Sequence, residues 1–338
     1  MGGNNRLFKQ LILPAGILAS AFALAGISWS ISQKQKDVPE RSIEFNEKIT
    51  VPVPKGSKNV RIWIPVPGND FYQRAELLSL ESPCSYRITE EKDFGNRMIY
   101  LEPKSPIKGD AIEISAFYKI IRKEQRGLEA EKDSSDDVKT AILPSDYLSP
   151  RGLEIINDKI GKISEEATRG INDPMVKARA IYKYVLNHMR YDKSGTDWGR
   201  GDSIYACDVG RGNCTDFHSL FIALARASRI PARFQMGISL PESPEGEPSG
   251  AYHCWAEFYI EGKGWIPVDI SEAWKNPQKA EYFFGHLDVH RICLSTGREI
   301  ELSPKQKGAP LNYLSKPYIE INGKPFNDFK LERHFKNI

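Results

Sequence analysis

The sequence lacks the signatures of nucleic-acid, nucleotide and metal-binding proteins. The net charge of its 338 residues is only +3, and no stripe of basic residues interleaved with aromatic ones occurs, which argues against a nucleic-acid partner. There is no glycine-rich phosphate loop, no CxxC or HExxH spacing, no DxDxDG loop and no internal repeat. We therefore predict that the protein needs no metal or other cofactor.

Cysteine is scarce, and its count is odd. Five cysteines occur in a chain whose hydrophobic content, 40%, is ordinary, and the chain is long enough for two domains with substantial cores. In an exported protein an odd count leaves at least one thiol unpaired. Cys214 fits that role, and the state of the other four stays open: Cys84, Cys207, Cys254 and Cys293.

One long apolar run stands near the N-terminus. Residues 11–31 contain no charged side chain and follow Arg6 and Lys9, and the run is long enough to cross a bilayer. A cleaved export signal with residues 23–25 as its cleavage site is one interpretation. We favour an uncleaved membrane anchor, because the run continues past that site. In both cases residues 1–35 are a targeting segment, and the protein is expected to be exported, in the periplasm or at the cell surface.

Short runs of alternating apolar and polar residues fill positions 42–122. They are rich in Ile, Val, Tyr and Phe and are broken by Pro, Gly and Asn, a pattern typical of antiparallel strands. We predict an antiparallel β-sandwich-like domain with a structural or substrate-positioning role. The charged stretch that follows has few large apolar residues and predicts a linker over residues 123–150.

A mixed region of helices and strands is predicted over residues 151–300. One helix is expected near Arg151–Ser164. A second is expected from Pro174 to about Met189, because Asp173 suits the N-cap and proline suits the first helical position.

Two further segments complete this outline. The stretch from Tyr191 to Gly212 is predicted to be a long loop and one wall of a cleft. Residues 301–338 form a C-terminal extension with a hairpin signal at Asn322-Gly323. We expect this extension to pack back on the mixed region.

A cysteine stands at the predicted start of a helix. Gly210, Gly212 and Asn213 predict a tight turn, and apolar residues spaced by three and four follow until about Ser228. Cys214 therefore lies at the helix N-terminus, where free N–H groups and the helix dipole favour a thiolate. The same N–H groups could hold an oxyanion.

A predicted hairpin carries a histidine and an aspartate. Residues 251–260 form the first strand, residues 261–264 the turn and residues 265–269 the return strand. The turn lies about midway between His253 and Asp269, so the hairpin brings these two side chains together. A carboxylate on one ring nitrogen fixes the tautomer and leaves the other nitrogen for a thiol.

These motifs resemble those of the transglutaminase-like superfamily, whose fold is related to papain. The matching features, within residues 171–269, are GNC at a helix start, RIPAR after that helix, HCWAEFY and GWIPVD. The resemblance implies an α+β fold, with a papain-like core in which a helix-borne cysteine packs on an antiparallel sheet. It also implies a catalytic set of Cys214, His253 and Asp269.

Two positions depart from the pattern of that superfamily. Many relatives have glycine where Arg229 stands, directly before Ile-Pro-Ala-Arg. The upstream tryptophan with which animal transglutaminases steady the oxyanion has no secure counterpart here. Trp198 is a candidate only, and the side-chain oxyanion donor stays open.

A zinc site is the main chemical alternative. Its ligands would come from Cys207, Cys214, His218, His253 and Cys254, but no zinc-binding spacing occurs. Adjacent residues of a strand point to opposite faces, so His253 and Cys254 are not expected to share a metal.

The predicted chemistry is acyl transfer through a thioester on Cys214. We favour a cysteine peptidase or amidase acting on protein or envelope peptide, since water is the default acceptor in an exported enzyme. A protein-glutamine γ-glutamyltransferase is the second hypothesis, and a catalytically inactive envelope scaffold is the third. The sequence leaves the substrate and the oligomeric state open.

Overall fold

The computed structural model describes residues 38–104, 110–129 and 144–338. The predicted anchor at 11–31 and much of the predicted linker lie outside these ranges. Within them, no helix is both long and apolar enough to cross a membrane. Residues 40–338 form a single compact unit.

The strands and helices of the described residues are as follows. The strands are β1 Glu40–Pro52, β2 Val60–Pro65, β3 Gln73–Glu81, β4 Tyr86–Glu90, β5 Arg97–Leu101, β6 Ala111–Lys123, β7 Gln125–Arg126, β8 Arg190–Tyr191, β9 Arg211–Gly212, β10 Ala232–Ser239, β11 Glu245–Gly246, β12 His253–Ile260, β13 Gly264–Val268, β14 His286–Leu287, β15 Arg291–Thr296, β16 Tyr318–Ile321, β17 Lys324–Pro325 and β18 Lys330–Asn337. The helices are α1 Asp158–Ala167, α2 Pro174–His188, α3 Ser203–Val209, α4 Cys214–Ala227 and α5 Ile270–Lys275, with short 3-10 helices at Pro144–Leu148 and Pro277–Lys279.

Two five-stranded sheets form a sandwich. Their strand orders are β11-β18-β1-β6-β3 and β17-β16-β2-β5-β4, and their apolar side chains share one buried cluster. Every second residue of β1 is buried, as expected for a strand with one face on a core. The edge strand β3 was not expected from the sequence; it pairs with β6 alone and is interrupted by a bulge between Leu77 and Ser79.

The C-terminal extension completes this sandwich, and its residues Asn312 and Tyr313 also contact the mixed region, on which it was expected to pack. β18 pairs with β1 from Ile43↔Asn337 to Thr50↔Lys330, and β16 pairs with β2. The physical reason is that these strands satisfy backbone N–H and C=O groups that would otherwise lie along exposed edges. The predicted turn is confirmed, since Ile321 pairs with Lys324 across Asn322-Gly323.

The second part of the structure is a helix-on-sheet core. Its antiparallel sheet has the order β13-β12-β10-β15, and α4 packs against β12 and β10. Apolar residues of α4 are buried on all sides, which is expected of a helix enclosed within a core. The predicted α+β class, with a helix-borne cysteine on an antiparallel sheet, is confirmed.

Two helices differ from the sequence prediction. α1 begins at Asp158 rather than near Arg151, because Asn157 is the N-cap and accepts the Ile160 N–H at 2.9 Å. The predicted loop from Tyr191 to Gly212 contains α3, whose N-cap is Asp202. A helix this short has too few turns to show an apolar period.

The end of α4 accounts for the unusual Arg229. Ser228 is the C-cap, and Arg229 has φ +63°. This left-handed conformation favours glycine, the residue that many relatives carry there.

The buried pair between Glu47 and Arg333 links β1 to β18 and provides a test of the shared sandwich. Arg333 Nε donates to Glu47 Oε1 at 2.6 Å, and Glu47 is 1% exposed. Arg333→Met leaves that carboxylate buried without its partner, so we expect a loss of about 3–5 kcal/mol in the free energy of unfolding. Chemical denaturation measures it.

Lys330→Met is the matched control, since Lys330 lies on the same strand and its pair with Glu332 is solvent-exposed. We expect a change of less than about 1 kcal/mol. Equal effects of the two substitutions would contradict the role given to the buried pair.

Candidate active site

The candidate nucleophile begins a helix, as predicted. Cys214 is the first residue of α4, and Asn213 is its N-cap. The Asn213 side chain accepts the Thr215 N–H at 3.0 Å. The backbone carbonyl of Asn213 accepts the N–H groups of Asp216 and Phe217. The helix dipole therefore favours negative charge where the sulfur lies.

Asp216 holds the neighbouring loop against this helix start. Its carboxylate accepts backbone N–H groups from Gly199, Gly201 and Asn213 at 2.7, 3.0 and 2.9 Å. Burial raises the pKa of Asp216, while these hydrogen bonds oppose the rise. The carboxylate is thus directed to backbone donors, as expected of a charge that would otherwise oppose a thiolate.

The hairpin brings His253 and Asp269 together. β12 and β13 pair from Ala256↔Val268 to Ile260↔Gly264, and His253 Nε2 donates to Asp269 Oδ2 at 2.7 Å. Both side chains are buried. Because Asp269 occupies Nε2, the other ring nitrogen, Nδ1, is left for Cys214, whose charge and hydrogen bonding raise the pKa of His253.

The charges of this group favour an ion pair between sulfur and imidazole. The hydrogen bond from Cys254 and the hydrogen bond and charge of His253 hold the pKa of Cys214 well below its usual range, against the effect of burial. Burial alone would lower the pKa of His253, but Asp269 and Cys214 raise it to about 10. Between these two pKa values the thiolate and the imidazolium coexist.

Arg291 is a site residue that sequence reasoning missed. Its Nη1 donates to Asp269 Oδ2 and its Nη2 to Asp288 Oδ2, both at 2.9 Å. Burial raises the pKa of Asp269, but the charges of His253 and Arg291 lower it well below its usual range. No motif signals Arg291, because it reaches Asp269 only through the pairing of β15 with β10.

Asp269 is fixed by local bonds as well. It caps α5, and its Oδ1 accepts from the Glu272 N–H at 3.1 Å and the Ser271 hydroxyl at 3.0 Å. One oxygen therefore serves the helix, while the other serves His253 and Arg291. The carboxylate has no freedom to turn away from the ring.

His218 is buried and neutral. The Ile270 N–H donates to its Nε2 at 3.0 Å, so that nitrogen carries no proton. Nε2 also lies 3.7 Å from Asp269 Oδ1, but this is not an ion pair, since burial lowers the pKa of His218 to about 4. His218 supports the segment that carries Asp269.

Cys254 lies closer to the nucleophile than strand alternation implied. Its sulfur is 3.6 Å from His218 Nδ1 and forms a hydrogen bond with Cys214. Burial, then the neighbouring Cys214, raises the pKa of Cys254 well above its usual range, so it stays a thiol. All five cysteines are free.

The zinc alternative finds no support in the geometry. Across residues 38–104, 110–129 and 144–338, no group of three or more His, Cys, Asp and Glu side chains is arranged to hold a metal ion. The backbone carbonyl of Cys207, on α3, lies 3.0 Å from Nε2 of His188, on α2. This contact between the two helices was not expected from the sequence.

Two tryptophans belong to segments that carry or adjoin site residues. The indole N–H of Trp198 donates to the Gly195 carbonyl at 3.2 Å, so this donor is bound within its own loop. The buried Trp255 has its ring centroid 6.3 Å from that of His253.

The C-terminal extension adds a wall that the sequence did not predict. Asn213 Nδ2 donates to the Tyr252 hydroxyl at 2.8 Å, and the Tyr313 ring lies 5.6 Å from that of Tyr252. Tyr313 thus reaches the N-cap residue of the nucleophile helix through Tyr252. Its aromatic neighbours come from distant segments, and no local pattern announces such a contact.

Comparison with known proteins agrees with this geometry. Residues 161–270 match the family model of the transglutaminase-like superfamily, a segment that contains Cys214, His253 and Asp269. An uncharacterized protein of Haemophilus influenzae is 27% identical over 357 residues, which covers 95% of this chain and 96% of that protein.

Two solved structures give a second comparison. A candidate cysteine protease from Cytophaga hutchinsonii has a TM-score of 0.55 at 18% identity, over 89% of this chain and 98% of that chain, which indicates a shared fold. The periplasmic domain of TgpA from Pseudomonas aeruginosa matches at a TM-score of 0.35 and 14% identity, over 69% of this chain and 96% of that chain, a similarity too low to support an argument. Residues 161–270, which contain much of the helix-on-sheet core, are thus similar to the transglutaminase-like superfamily.

Proposed function

We propose that the protein is a thiol-dependent acyl-transfer enzyme. Cys214 is the nucleophile, His253 the general base and acid, and Asp269 the group that orients the ring. The observation that carries this proposal is the buried 2.7 Å hydrogen bond from His253 to Asp269, together with a lowered pKa of Cys214 to which His253 contributes. Such an arrangement is expected of an activated thiol.

The reaction follows from these positions. The thiolate of Cys214 adds to a carboxamide or peptide carbonyl, and the backbone N–H of Cys214 at the helix start is the proposed main-chain oxyanion donor. The imidazolium of His253 then protonates the leaving amine, which leaves a thioester on Cys214. Asp269 and Arg291 keep the ring in place, because a mobile imidazole would lose its hydrogen bond to the sulfur.

Water or an amine can then accept the acyl group. We propose a peptidase or amidase acting on a protein or peptide, since water is the most abundant acceptor. Cross-linking by a protein-glutamine γ-glutamyltransferase is the alternative, and it requires a cleft that excludes water while a lysine attacks. A catalytically inactive scaffold is the third, and it predicts an ordinary thiol at Cys214.

We also propose that the protein is exported and that residues 11–31 anchor it. This proposal is supported by the uncharged apolar run and its basic N-terminal flank. Carbonate extraction of membranes, compared between the full chain and a chain beginning at residue 38, tests the anchor. Release of both proteins alike would contradict it.

The ion pair makes a prediction about pH. Thiolate is lost as pH falls through the lowered pKa of Cys214, so iodoacetamide should still label Cys214 rapidly at about pH 6. Above the His253 pKa of about 10 the imidazolium disappears. Labelling should then persist, while acyl transfer falls for want of a proton donor. Mass spectrometry of the labelled peptide measures the rate.

His253→Gln provides the comparison for this experiment. Without the imidazolium, the labelling midpoint should rise toward the value of an unstructured thiol, about 8.5. A wild-type midpoint already at that value would rule out the ion pair and favour the scaffold hypothesis.

Removal of the nucleophile gives a second prediction. Cys214→Ala should abolish turnover of a general protease substrate such as casein, with little effect on the melting temperature, because the lost side chain is small. The Cys84→Ala variant should retain activity, because Cys84 lies in the sandwich. Turnover by Cys214→Ala at the wild-type rate would show that another residue does the chemistry.

The choice of acceptor can be measured directly. With a glutamine-containing protein and a labelled primary amine, we expect hydrolysis, seen as ammonia or peptide release, to exceed amine incorporation. The reason is that no acceptor other than water is present at comparable concentration. Incorporation that outruns hydrolysis would favour the transferase instead.

A further inference from the structure

Backbone pairing places Tyr191 beside the nucleophile. β8 and β9 run parallel, with Tyr191 opposite Gly212, and the Asp192 N–H donates to the Gly212 carbonyl at 3.1 Å. Gly212 lies two positions before Cys214 in the sequence. The backbone of Tyr191 is therefore fixed against the turn that leads into α4.

The ring of Tyr191 extends along the first turn of α4. Its centroid lies 6.2 Å from that of Phe217, which follows Cys214 by one turn. Tyr191 thus contacts residues on both sides of Cys214, one through its backbone and one through its ring. The Tyr191 side chain is half-buried.

Lys275 approaches the same ring from the segment that carries Asp269. It ends α5, and its Nζ lies 4.1 Å from the Tyr191 ring centroid. The ammonium is itself held by Glu272 Oε1 at 2.8 Å, and its charge and hydrogen bonding act to lower the pKa of the Tyr191 hydroxyl. Since an ammonium can only donate, the hydroxyl oxygen is the acceptor, and its own hydrogen remains to be donated elsewhere.

The hydroxyl keeps its proton at neutral pH. Burial, then the negative charge of Cys214, raises the pKa of Tyr191 to about 12, although Lys275 opposes the rise. The effect of Cys214 on the pKa of Tyr191 agrees with the backbone pairing, which holds Tyr191 against the turn before Cys214. A neutral phenol that receives a hydrogen bond from a cation is a strong donor.

Other candidate donors near the site are already engaged. The Trp198 indole N–H donates to Gly195 O. The Tyr252 hydroxyl accepts from Asn213 Nδ2, and its ring packs 5.6 Å from that of Tyr313. These contacts hold both groups against neighbouring protein atoms.

We propose that Tyr191 is the side-chain oxyanion donor of this site and that Lys275 positions and polarises its hydroxyl. This rests on the proposed acyl transfer. As Cys214 Sγ bonds to the carbonyl carbon, the electron pair of the C=O bond moves to oxygen, which accepts from the Tyr191 O–H and the Cys214 N–H. When the C=O bond re-forms, the amine leaves with the proton of His253, and Tyr191 keeps its own proton throughout.

Two reactions of the same sulfur separate this role from the reactivity of the thiol. Iodoacetamide alkylates a thiolate at a saturated carbon and forms no oxyanion, whereas p-nitrophenyl acetate acylates it through an oxyanion and releases p-nitrophenolate. For Tyr191→Phe we expect alkylation of Cys214 within about twofold of wild type. Acylation should fall by about 10²-fold, the effect of removing one oxyanion donor. Stopped-flow release of p-nitrophenolate and mass spectrometry of the alkylated peptide measure the two rates.

Lys275→Gln tests the positioning role. It should lower the ratio of acylation to alkylation by a smaller factor than Tyr191→Phe, and Lys275→Arg should restore part of that ratio. A general loss of packing would change both rates together and leave their ratio unchanged. Tyr184→Phe, a substitution on α2 whose ring stacks on His188, is the matched control and should leave both rates unchanged.

The outcomes distinguish the two proposals. Slow alkylation of wild-type Cys214, at the rate of an unstructured thiol, overturns the proposed acyl transfer and this inference with it. Fast alkylation with an acylation rate that Tyr191→Phe does not lower, or with no acylation of the wild type, overturns the role of Tyr191 alone. A ratio of acylation to alkylation that falls in Tyr191→Phe and not in Tyr184→Phe supports the role of Tyr191.

Discussion

A buried carboxylate holds the candidate site together. Asp269 is fully buried and accepts hydrogen bonds from His253, from Arg291 and from the first turn of α5. An isolated charge at this depth would cost several kcal/mol, so these donors are required for the carboxylate to remain ionised. Their convergence explains why the ring of His253 has one orientation and why its pKa lies above its usual range.

The site also depends on parts of the chain that carry no candidate chemistry. β10 and β15 belong to the sheet under α4, yet Ile238 and Ile292 on these strands are buried in the same apolar cluster as the sandwich. The strand that supplies Arg291 is thereby fixed on both sides. Tyr313 of the C-terminal extension adds a contact to Tyr252. The sandwich can thus be understood as a support that limits the movement of the hairpin.

Rigid placement of the catalytic groups matters for acyl transfer. The sulfur, the imidazole ring and the oxyanion donors must keep their relative positions to within a fraction of an ångström. Asp216 contributes by bonding three backbone N–H groups, two of them from the loop that carries Gly199 and Gly201. Lys275, whose Nζ lies 4.1 Å from the Tyr191 ring centroid, adds a further contact near the helix start. Each of these contacts restrains a flexible connection next to the sulfur.

The local sequence determined the features whose cause is local. The turn before Cys214, the N-cap Asp173, the Asn322-Gly323 hairpin and the pairing of His253 with Asp269 all depend on residues close together in the chain, so pattern and turn chemistry sufficed to predict them. Tertiary structure alone decided the rest. The partners of β1 and β2, the approach of Arg291 to Asp269, and the place of Tyr191 beside Cys214 arise from strand pairings between distant segments. Such pairings are selected by the burial of whole faces and the satisfaction of edge hydrogen bonds, and no short stretch of sequence carries that information.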